Sequence, residues 1–97
     1  MAKIDDVQKY LGEPYTVVTM DGEPVIYRAF NGFDFEVSGI NGRSNNYTLY
    51  VWRTDTHNEI IGIYNNIKGK EALKDILGYY ATKYQNLLSG IQVERES

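Results

Sequence analysis

A single histidine, His57, sits in the stretch TDTHNE between Asp55 and Glu59. These are the residue types that a general base or a metal site draws on. A metal site needs three or four ligands, and this chain offers one imidazole and no cysteine thiolate. A polar, hydrated hairpin turn calls for the same Thr, Asp and Asn residues, and that is the expected role of the segment. Asp34 and Glu36 lie two apart in FDFEVS, a spacing that puts two carboxylates on one face of a strand. On an open sheet face such a pair stays hydrated and is not tuned for acid–base work. The four serines lie outside any nucleophile motif. GINGRSNN has the glycines of a phosphate loop but not its Gly-Lys-Ser/Thr ending, and it leads into a strand. Lys68 and Lys70 flank the start of a helical segment, where free N–H groups favour anions, although lysines there are ordinarily solvated. Asn46-Tyr47-Thr48 fits the glycosylation acceptor pattern, but without a secretion signal the match carries no weight. No catalytic residue, cofactor or metal is expected, and the chain reads as a non-enzyme.

The elements that would position these residues follow from periodicity. IDDVQKYL reads as a short amphipathic helix with Ile4, Val7 and Leu11 on one side, stopped by Gly12 and Pro14. Five strand signals follow: YTVVTM, EPVIYRAF, FDFEVSG, NYTLYVWR and EIIGIYN. Asp21-Gly22 and Asn31-Gly32 between them are type I′ hairpin signals. Loops this short make neighbouring strands antiparallel. From Gly69 to Ser89 the apolar spacing turns helical through Leu73, Ile76, Leu77, Tyr80, Tyr84, Leu87 and Leu88, with Gly90 as the stop. The expected fold class is α+β: a two-layer sandwich in which a five-stranded antiparallel meander (α-β-β-β-β-β-α) carries a long C-terminal helix on one face. One domain spans 1–92, and 93–97 form a disordered charged tail.

The third strand decides the faces. Phe33, Phe35 and Val37 must meet the helix, because Asp34 and Glu36 cannot be buried unpaired. In simple register Tyr47, Leu49, Val51, Ile61 and Ile63 then turn inward. Asp34, Glu36, Ser38, Thr48, Tyr50, Trp52, Ile60, Gly62 and Tyr64 turn outward. Arg28 joins the outer set if Val25, Tyr27 and Ala29 face in, although Ile26 and Phe30 compete for that side. Tyr50, Trp52 and Tyr64 together would expose a patch of a few hundred Å², large enough to signal contact. The plainer reading is that aromatic rings simply suit strands.

The chain has 97 residues and a net charge of −3. A chain of this length buries roughly 60–65% of its unfolded surface, enough for one core without staples. The acidic balance disfavours nucleic acid and anionic membranes as partners. The acids of MAKIDDVQKYLGEP leave no apolar run for a secretion signal, so a cytoplasmic location is expected. Asn, Lys, Ile and Tyr make up about a third of the chain, a bias towards AT-rich codons that suits a low-GC bacterium or its phage. The expected function is a small non-catalytic protein-binding module, of phage or mobile-element inhibitor or immunity type. It binds another protein through Arg28, Tyr50, Trp52, Arg53 and Tyr64 on the open sheet face, with a homodimer as a second way to cover that face. The alternative is a single-stranded nucleic-acid binder, stacking bases on the same rings with Arg28, Arg43, Arg53 and Lys68 meeting phosphates. In outline the meander-then-helix order resembles small single-stranded-DNA-binding transcription cofactors.

Overall fold

The computed structural model describes residues 3–41, 46–55 and 57–96, without the side chains from 88 onward. The element order is α1 (Lys3–Leu11), β1 (Thr16–Met20), β2 (Glu23–Ala29), β3 (Phe33–Ser38), β4 (Asn46–Arg53), β5 (Glu59–Lys68) and α2 (Lys70–Glu96). The strands form one antiparallel sheet in sequence order. The α+β meander with its C-terminal helix is therefore the fold.

Local chemistry sets the turns. Asp21 and Gly22 both take positive φ, 53° and 79°, as a type I′ turn requires. At Asn31-Gly32 only the glycine is left-handed, at 99°, so this turn is not type I′ as expected. The hairpin is still tight, with the Phe30 N–H donating to the Phe33 carbonyl at 2.8 Å. Gly12, at φ 78°, ends α1 and donates to the Gln8 carbonyl at 2.7 Å.

Both helices lie on the same side of the sheet. Ile4 and Val7 of α1 share one buried cluster with Phe33, Phe35, Val37, Leu49 and Val51 of the sheet and with Leu73 and Leu77 of α2. The two helices are also tied to each other. Lys70 Nζ donates to Asp6 Oδ2 at 3.0 Å, and Lys70 and Lys74 both lie over the Tyr10 ring. The Lys70 ammonium is therefore engaged by α1, which answers the expectation of an anion site at the start of α2.

Two further expectations fail in physically clear ways. α2 runs through Gly90 to Glu96, a helix of 27 residues. A lone glycine costs a helix only about 1 kcal/mol, and no proline follows it. Residues 93–96 continue the same helix. In β5 the alternation breaks twice. Val51 pairs with Gly62 and Trp52 with Ile60, leaving Ile61 as an extra residue. Leu49 pairs with Tyr64 and Tyr47 with Ile67, with the left-handed Asn66 (φ 64°) in the second bulge. A one-residue slip moves every following side chain to the opposite face. Ile61 packs against the core as expected, but beyond it Gly62 and Tyr64 face the helix and Ile63 faces away, 51% exposed.

Candidate binding site on the open sheet face

The face away from the helices is built by strand pairing. Asp34 and Glu36 of β3 form its centre line. Tyr27 lies directly across from Glu36, and Trp52 directly across from Asp34. Each aromatic side chain then reaches diagonally to the other carboxylate. The Tyr27 hydroxyl donates to Asp34 Oδ2, and Trp52 Nε1 donates to Glu36 Oε1 at 3.0 Å. The two bonds cross the strand in opposite senses and hold both rings beside a pair of negative charges. Burial, and then the bond to Asp34, push the Tyr27 phenol up to about 12, so it remains a donor at any physiological pH. Among the described residues, none of the ion pairs involves Asp34 or Glu36.

Two concavities open here. One, of about 300 Å³, is lined by Met20, Tyr27, Asp34, Glu36, Trp52 and Asn58. Its neighbour, of about 180 Å³, shares Met20, Glu36 and Trp52 and adds Asp21, Glu23, Tyr50 and Ile60 among others. Among the described residues, four carboxylates and no Lys or Arg line the two together. Ile60 and Ile63 form an apolar margin on the β5 side, opposite Trp52 and Tyr50. Glu23 is fixed at the far end, where its Oε2 accepts the Gly39 N–H at 3.2 Å.

The residues proposed from sequence separate into three groups. Tyr50 and Trp52 stand on the open face. Tyr64 does not: it lies under α2, stacked on Tyr80 at 3.9 Å, with its hydroxyl 2.6 Å from that of Tyr84. The bulge at Ile61 is the reason. Arg28 does not face outward either. It pairs in register with Phe35, and its guanidinium lies 4.2 Å from the Phe30 ring centre and 5.1 Å from that of Tyr15. Cation–π contact with two rings holds it on the helix side. Arg53 continues the Val51 side of β4 and is bound by Asp55, Nε to Oδ1 at 2.7 Å. Arg43 lies outside the described residues.

The sequence reading missed Tyr27, Met20 and Asn58. A signal for Tyr27 existed: a two-residue loop at Asn31-Gly32 sets Phe30 opposite Phe33, hence Arg28 opposite Phe35 and Tyr27 opposite Glu36. His57 stays in its turn, with Nε2 2.8 Å from Glu59 Oε1 and both side chains well exposed. Among the described residues no three acids or histidines converge on a metal-sized point, and no helix is long and apolar enough to cross a membrane. Compared with known proteins, the chain matches no family model, no curated protein and no solved structure.

Proposed function

We propose that this protein is a binding module that acts through protein–protein contact made by the open face of its sheet. The observation that carries the reading is the placement of both helices on one side. It leaves Ile60 and Ile63 exposed, and Tyr50 and Trp52 half-buried beside them, within a frame of carboxylates. Trp, Tyr and Met are enriched where proteins meet, and apolar centres with polar rims are the usual anatomy of such contacts. The acidic frame selects a basic surface on the partner and repels a second copy of itself. A small acidic protein that covers a basic site works as an inhibitor or immunity-type protein, and that is the role we assign.

The test compares wild type with Ile63→Asp. The substitution lies on an exposed position, so stability should change by about 0.5 kcal/mol or less. A partner captured from the source organism by the wild type and then purified should bind the variant about tenfold or more weakly. Equal affinity for the two would remove the open face as the contact. Sedimentation should show a monomer. Salt-sensitive quenching of Trp52 by single-stranded oligonucleotides would favour a nucleic-acid partner instead.

A further inference from the structure

Resting on the reading of the open face as a protein contact, we propose that the pocket between Tyr27 and Trp52 receives an arginine side chain of the partner. The pocket has the size of a small ligand site, about 300 Å³. Its walls are an indole, a phenol and a thioether, and two carboxylates stand between them. One oxygen of each carboxylate is already bonded, Asp34 Oδ2 by Tyr27 and Glu36 Oε1 by Trp52. Those bonds lock the acids in place and direct their remaining lone pairs to a ligand at no further ordering cost.

The charge is not arranged for a metal ion, since no three potential ligands converge among the described residues. A larger, delocalised cation fits better. Residues two apart on a strand are about 7 Å apart. A guanidinium can fork towards both carboxylates, whereas an ammonium is a compact point charge that is strongly hydrated. Guanidinium also stacks on aromatic faces, and tryptophan is the best of them. An arginine's three methylenes suit the Met20 and Trp52 walls.

The probe is a blocked Gly-Arg-Gly peptide, compared with its lysine and norleucine counterparts, while Trp52 fluorescence and its indole N–H resonance are followed. The arginine peptide should give a saturable change, the lysine peptide should bind more weakly, and norleucine should have no effect. Asp34→Asn and Glu36→Gln should each weaken arginine binding about tenfold. Asp75→Asn, the same charge change on the exposed side of α2, should leave it unchanged. Equal responses to arginine and norleucine would overturn the assignment, and so would equal loss in Asp75→Asn; neither depends on how well the pocket variants fold. If arginine is ignored while Ile63→Asp still abolishes partner binding, the pocket assignment fails and the surface reading stands. If arginine binds while Ile63→Asp keeps the partner, the surface reading fails. The pocket then serves free guanidinium compounds.

Discussion

Gly62 shows how closely one residue can be dictated by its neighbours. A Cβ placed there would come within 2.5 Å of the Tyr84 hydroxyl and 3.0 Å of the Tyr64 ring. Its backbone needs no glycine; the space above it does. Gly62→Ala should therefore push the Tyr64–Tyr84 pair apart and cost about 1–3 kcal/mol, read from denaturant unfolding. A wild-type midpoint would show that the two rings move aside freely. The tyrosines themselves make a second prediction. Burial and a hydrogen-bond partner push both Tyr27 and Tyr64 from 10.0 up to about 12. Both phenols hold their protons more tightly in the folded state than in the unfolded one. Their contribution to stability is complete below pH 10 and is lost as the pH climbs towards 12. Burial raises Tyr15 and Tyr47 as well, so a spectrophotometric phenolate titration should show several late groups, and Tyr27→Phe should remove one of the latest.

Among the elements, α1 is the one that could have changed the whole reading. Two turns of helix cannot stand alone, and on the open face it would have hidden the candidate site. Its apolar stripe decides the matter: Ile4 and Val7 are buried in the shared core. Ile4→Ala should cost about 2–4 kcal/mol by unfolding. Asp6→Asn, which removes only the exposed bond to Lys70, should barely move the melting temperature. Equal losses from the two would mean that charge, not packing, docks the helix. Legibility in the sequence followed the same physics. Strict alternation made β3 readable and with it the polarity of β4. The turn dipeptides made the meander readable. The polarity of β2 was open because Ile26 and Val25 are equally apolar, and both are buried, Ile26 towards the helices and Val25 opposite Val18. β5 misled because the one hint of a bulge in EIIGIYN, the glycine at 62, does not fix where the slip falls, and apolar side chains stand on both sides of it.

For the whole molecule, the division of labour is between two faces of one thin sheet. The helix side supplies the core, and the other side presents charge with few constraints from folding. Open-face substitutions should accordingly separate binding from stability, as measured by the Ile63→Asp pair of experiments. On the proposed reading of the open face, raising the salt should slow association more than it speeds dissociation, because an acidic frame would steer a basic partner during approach. Stopped-flow mixing with the purified partner would check this, and a salt-independent association rate would argue against steering. The bulges of β5 reach further than the polarity of its side chains. β5 is the last strand of the sheet, and its outer edge carries unpaired backbone groups, the usual template for stacking one chain on another. Two interruptions within ten residues bend and twist that template out of line. At this edge, beside the displayed tryptophan, tyrosine and isoleucine, a second copy finds no straight template on which to extend the sheet.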